Sequence, residues 1–233
     1  MNQNKEELTQ TTSLNIHQYH KDYVKGLCYS EMSNTLISCG LDGFITLYNI
    51  EEYNKTQNIR ANRDNILFEM KNSNSIYSID CDETGRIIIS SVYENILSGF
   101  DIRQKREIFN LRGHKDLIRN VKISKDGKLG VSSSHDKTVK VWDLFSHRVL
   151  KNFEFSNESI HSMTIDNSFN KILTGSKKGE LSFIDLPSGN YFKIDSLGED
   201  ITSIGLNSKF DLLVSTSQSK LYEYVYFLFN FRI

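Results

Sequence analysis

The chain repeats itself, and a fixed period constrains architecture more tightly than any single residue does. Segments of 28 residues starting at Tyr23, Ser75, Leu117 and Ser159 align without gaps, and a fifth from Asp200 follows with one deletion. The starts are offset by 52, 42, 42 and 41 residues. Within a unit the pattern is that of short strands and tight turns: an alternating run such as VKI at 121–123, a turn carrying Asp126-Gly127 or Thr84-Gly85, a small-residue run GVSSS, a second turn, then VKVWDL. A fourth run follows each (EIFNL, VLKNFEF, YFKIDSL), and four strands per unit of some 42 residues predicts the blade of a β-propeller.

The expected organisation is a disordered N-terminal segment over 1–13 followed by blades over 14–233, with units near 20–70, 71–112, 113–154, 155–197 and 198–233. Ten extra residues between the first two units fall around KTQNIRANRDN (55–65) and read as a solvated loop. LNIHQY (14–19) reads as an outer strand of a blade not otherwise present, and YFLFNFRI at the other end as a candidate last outer strand.

Composition narrows the partners. With 28 basic and 29 acidic residues the net charge is −1, so no global field draws the chain to nucleic acid or an anionic membrane, and neither is expected as a partner. The cysteines Cys28, Cys39 and Cys81 form no CxxC pair and no even disulfide set, which predicts buried thiols in a reducing compartment. The first residues carry no apolar stretch, and the longest apolar run, YVYFLF, is too short to span a bilayer, so a cytoplasmic or nuclear location is expected.

One stretch poses a chemical question. His114, Ser132, Asp136 and Trp142 are the residue types of a hydrolase triad plus an indole. A triad, however, is a single constellation around an exposed nucleophile. This set recurs at the repeat period as His20, Ser38, Asp42 and Tyr48, with the same 28-residue interval from His to aromatic, and decays to Ser90, Glu94 and Phe100 in the second unit and Thr174, Lys178 and Ile184 in the fourth. Repetition with decay points to a buried hydrogen-bonded tetrad that stabilises each blade. The histidines form no HxH or HExxH, GSKKGE at 175–180 lacks phosphate-loop spacing, and no catalytic residue, metal or cofactor is expected.

Gly113-His114 and Trp142-Asp143 make the chain resemble the WD-repeat family. From HKDYVKGL (20–27) through NSIYSID, LRGHKDLIRNVKIS and IDNSFNKILTGSKKGELSFIDL (165–186), it is most similar to the family of WD repeat-containing protein 48. That resemblance implies a non-catalytic propeller that binds and activates ubiquitin-specific proteases, with ubiquitin as a further contact. It also implies two blades more than the five counted here, so part of a seven-bladed parent is expected; completion of the ring by another chain and closure with five blades are the alternatives. A general WD-repeat scaffold of an RNA-processing, chromatin or trafficking complex is the alternative function.

Period-equivalent positions lie around one rim of a propeller. The third residue of each unit gives Lys25, Tyr77, Arg119 and His161, and the residue before the turn Asp gives Leu41, Tyr93, His135 and Lys177. This basic and aromatic composition suits a protein-docking rim. The resemblance aligns a Lys, a Trp and an Arg on consecutive blades with Arg119, His161 and Lys177, so the Trp anchor is replaced by His161.

Overall fold

The computed structural model describes residues 20–30, 33–49, 66–71, 75–83, 87–92, 95–102, 104, 106–206 and 212–224, with 66–71 and 87–92 as backbone. The expected N-terminal segment, the strand LNIHQY, the 55–65 loop, Tyr93, Glu94, the Ser90 side chain and the tail YFLFNFRI lie outside this description.

Among the described residues, nineteen strands are arranged in five antiparallel sheets. The first contains β1 (Val24–Ser30), β2 (Thr35–Gly40), β3 (Phe44–Asn49) and β4 (Ile66–Lys71); the second β5 (Ile76–Cys81), β6 (Ile87–Val92), β7 (Ile96–Asp101) and β8 (Arg106–Arg112). The third contains β9 (Ile118–Ile123), β10 (Leu129–Ser134), β11 (Thr138–Asp143) and β12 (Arg148–Glu154); the fourth β13 (Ile160–Ile165), β14 (Lys171–Ser176), β15 (Glu180–Asp185) and β16 (Tyr191–Ser196). Among the described residues the fifth has three strands rather than the expected four: β17 (Ile201–Leu206), β18 (Leu212–Thr216) and β19 (Leu221–Tyr224). Strands pair strictly in chain order, as in up-and-down blades, and the first strands β1, β5, β9, β13 and β17 succeed one another side by side.

The turn between second and third strands sets this geometry. A residue with positive φ occupies the same place in every unit: Gly43 (77°), Asn95 (62°), Lys137 (71°), Gly179 (86°) and Ser219 (62°). Only two are glycines; Asn, Lys and Ser are held in the left-handed region by the turn itself, as in Lys137 N donating to Ser134 O at 3.2 Å.

Strand alternation gives each sheet two apolar faces, and the core consists of one cluster per junction. Leu97, Phe109 and Leu111 of the second sheet pack on Ile118, Val121, Ile123 and Trp142 of the third. Val131, Val139 and Val141 of the third meet Ile160, Met163 and Ile172 of the fourth, and Leu173, Leu181 and Phe183 of the fourth meet Ile201, Ile204, Leu212 and Val214 of the fifth. The first junction holds Ile37, Ile45 and Leu47 against Ile76, Ile79 and Phe100, with all three cysteines in it. The thiols are free, and burial pushes that of Cys39 up to about 12.

Polar side chains latch neighbouring sheets at their first strands. Asn120 Nδ2 donates to His161 O (3.0 Å), Ser162 Oγ to Ile201 O (2.9 Å), and Asp80 accepts from Ile123 N (2.9 Å). Each hydrogen bond satisfies a group buried between sheets, which fixes their mutual register as well as their contact.

Candidate functional site

The tetrad is assembled in the third sheet as the spacing suggests. Trp142 Nε1 donates to Ser132 Oγ at 2.8 Å, Ser132 lies 2.7 Å from His114 Nε2, and His114 Nδ1 lies 2.8 Å from Asp136 Oδ2. Because an indole only donates, the direction of the chain follows: Ser132 accepts from Trp142 and donates to Nε2, and Nδ1–H donates to the carboxylate. Burial would raise the Asp136 carboxyl, but hydrogen bonds from His114, Thr138 and the Lys115 amide outweigh it and hold the group far below the ordinary carboxylate range. Ser132 is wholly buried and already engaged at both ends, so it presents no oxygen to a substrate.

In the first sheet, His20 Nδ1 lies 3.0 Å from Asp42 and Nε2 2.8 Å from Ser38. Asp42 is likewise held low, by His20 and by the Phe44 and Lys21 amides acting against burial. The register at the aromatic end is the same: Trp142 pairs with Gly130 across β10 and β11, and Tyr48 with Leu36, the equivalent position of the first sheet. In the fourth sheet Thr174 and Ile184 are buried, and apolar packing takes over at Ile184.

The rim residues are brought together more closely than the sequence could show. In four units the residue before the turn Asp position is fixed by its own amide to the carbonyl that opens the unit: Leu41 N to Tyr23 O (3.0 Å), His135 N to Leu117 O, Lys177 N to Ser159 O and Ser217 N to Asp200 O (each 2.9 Å). The rim is therefore built on pinned backbone rather than free loops. Along it, the Arg119 guanidinium lies over the Tyr77 ring at 6.0 Å. The His135 and His161 rings stack at 4.8 Å between the third and fourth sheets.

His161 Nδ1 lies 2.9 Å from Asp200 Oδ1 on the fifth sheet's side. Burial pushes both imidazoles below their ordinary value; the charges of Arg119 and Lys177 add to this, and Asp116 at His135 and Asp200 at His161 pull the other way. His135 Nε2 is buried and has no hydrogen-bond partner among the described residues.

One expectation needs correcting. Arg119 and His161 belong to adjacent sheets, but Lys177 follows β14 in the sheet that already carries His161, so the three do not lie on three consecutive blades. Lys25 lies 5.5 Å over the ring of Tyr23 within its own sheet. Asp200 went unnoticed in the sequence. Its signal was a carboxylate at a unit-opening position where the other units have Tyr, Ser, Leu and Ser.

Among the described residues no group of three or more His, Cys, Asp or Glu side chains could hold a metal ion, and no helix is long and apolar enough to cross a membrane. Five sheets of one kind, laid side by side on a polar tetrad and a pinned rim, define a repeat-built all-β protein of the propeller class.

Comparison points to a particular family: residues 10–49 and 105–143 match the family model "WD domain, G-beta repeat", and the curated relatives include WD-repeat proteins, which together support the WD40 repeat family. The chain is 25% identical over 128 residues to U3 small nucleolar RNA-associated protein 21 of Saccharomyces cerevisiae, a match covering 55% of this chain and 12% of that protein. It is 27% identical over 120 residues to WD repeat-containing protein 55 homolog of Drosophila erecta (51% of this chain, 24% of that protein). It is 44% identical over 43 residues to Ribosome biogenesis protein BOP1 homolog of Drosophila willistoni (18% and 6%). The chain thus spans less than a third of the length of each of these relatives.

Proposed function

We propose that this WD-repeat scaffold docks an acidic segment of a protein partner on the rim formed by Tyr77, Arg119, His135, His161 and Lys177. The observation that carries this reading is the stacked row itself. Aromatic and cationic side chains from three sheets are held on pinned backbone, the composition in which partner-binding energy concentrates. The histidines below their ordinary pKa are neutral near pH 7, which leaves Arg119 and Lys177 as the charges that select an acidic partner.

The assembly we favour is of the RNA-processing or ribosome-building kind, on the strength of the small nucleolar RNA-associated and ribosome biogenesis relatives. The second reading, activation of a ubiquitin-specific protease, is favoured by the convergence of Arg119, His161 and Lys177 on one rim. It is weakened by the missing Trp anchor, whose kind of loss costs about 2 kcal/mol or more. In that reading the propeller contributes no chemistry and acts by binding the active state of the protease more tightly.

Affinity purification with the native chain and with the Arg119→Glu/Lys177→Glu variant, matched for thermal stability, tests the proposal. Partners lost from the variant are the rim's ligands, and their identity decides between the two assemblies. Identical catches from both baits refute rim docking altogether.

A further inference from the structure

The first sheet exposes residues that every other sheet buries. Leu27 is 63% exposed, whereas its period equivalents Ile79, Val121, Met163 and Ile204 are at most 8% exposed. Val24 is 49% exposed where Ile76, Ile118, Ile160 and Ile201 are buried, and Tyr29 is also open. Leu27 stands opposite Ser38 and Tyr29 opposite Leu36, so they share the sheet face on which the His20–Ser38 pair lies. In the second to fifth sheets this face is covered by the preceding sheet.

At the other end, Leu213 and Leu221 are 45% and 70% exposed, although their equivalents Leu173 and Leu181, and Val131 and Val139, are fully buried. Leu221 pairs with Ser215, two residues on from Leu213, so both leucines lie on one face. Leu212, Val214 and Tyr222 lie on the other, packed against the fourth sheet.

What covers such a face is visible four times within the chain. The head face, carrying aliphatics at the positions of Val24 and Leu27, meets a tail face carrying aliphatics at the positions of Leu213 and Leu221. Among the described residues one head face and one tail face are left exposed, and they are of matching kind.

We propose that the first sheet of one copy seats on the fifth sheet of a second copy, repeating the internal junction between chains. The contact is heterologous, joining two different surfaces, so it propagates head to tail. It is weaker than the internal junctions for a visible reason: Glu223 occupies the position held by Val141 and Phe183 and places a carboxylate on the tail face. Association is therefore reversible and concentration-dependent.

Sedimentation velocity over a concentration series tests this, using Leu27→Asp to spoil the head and Leu221→Asp to spoil the tail. Both sites are exposed, so neither change disturbs the fold, and circular dichroism verifies that. The native chain is expected to form dimers and longer species, and each variant alone to remain monomeric. An equimolar mixture of the two is expected to form dimers and nothing longer, because one intact head meets one intact tail. Glu223→Leu is expected to tighten the native association by about tenfold.

A native chain that is monomeric at every concentration overturns the proposal. So does a variant that still self-associates alone, or a mixture that stays monomeric.

Discussion

Removing one oxygen atom should show how much the third sheet depends on its tetrad. Ser132→Ala deletes the hydroxyl that accepts from Trp142 Nε1 at 2.8 Å and meets His114 Nε2 at 2.7 Å. Both ring nitrogens are left buried without that partner, and each stranded polar group costs about 1–3 kcal/mol. The two losses are coupled through the same oxygen, so we expect about 3 kcal/mol in total rather than the arithmetic maximum. For a chain of this size that lowers Tm by about 6–12 °C.

The assay is thermal unfolding followed by far-ultraviolet circular dichroism, with the fluorescence of the single tryptophan, Trp142, reporting the third sheet locally. A cycle with Trp142→Phe isolates the hydrogen bond: once the indole donor is gone, deleting the hydroxyl should cost at least about 1 kcal/mol less than in the native background. A Tm change below about 2 °C, or strictly additive losses, would refute the account of the tetrad as a mutually satisfied buried network. Ser38→Ala in the first sheet provides the internal comparison. There Ser38 Oγ meets His20 Nε2 at 2.8 Å with no indole beside it, so the same deletion strands one ring nitrogen fewer and should cost less.

Lowering pH should destabilise the rim. His135 and His161 have folded pKa values below the unfolded value of 6.5, so the stability they confer is complete above 6.5 and lost as pH falls through the depressed folded values; nuclear magnetic resonance titration of the ring protons measures both. Gly179→Ala should cost about 1–3 kcal/mol in denaturant unfolding, because φ is +86° and a Cβ would stand 2.6 Å from the Gly198 amide nitrogen. Cys39, wholly buried with its thiol pushed up to about 12, should resist a disulfide reagent at pH 8 until the chain is unfolded.

How much of this was legible in the sequence differs from residue to residue. His114, Ser132, Asp136 and Trp142 could be read as a set because the repeat presents a second set, and because their partners lie within one sheet at distances fixed by strand and turn lengths. The rim was only half legible. The period identified Arg119 with His161 and His135 with Lys177 as equivalents, but which ring stacks on which depends on the sideways spacing of sheets, and so the His135–His161 pair and its link to Asp200 emerged only in three dimensions.

By itself, then, the sequence determined the unit: strand alternation and turn chemistry, repeated five times, and the tetrad, repeated in weakened form, are local consequences of residue order. The tertiary structure alone decided which copies of a face are covered. Leu27 and Val121 are indistinguishable in pattern, yet one is exposed and the other buried. The physical reason is that hydrophobic burial is a property of what stands next to a surface, and a repeat specifies each sheet without specifying the neighbour beyond the first or the last.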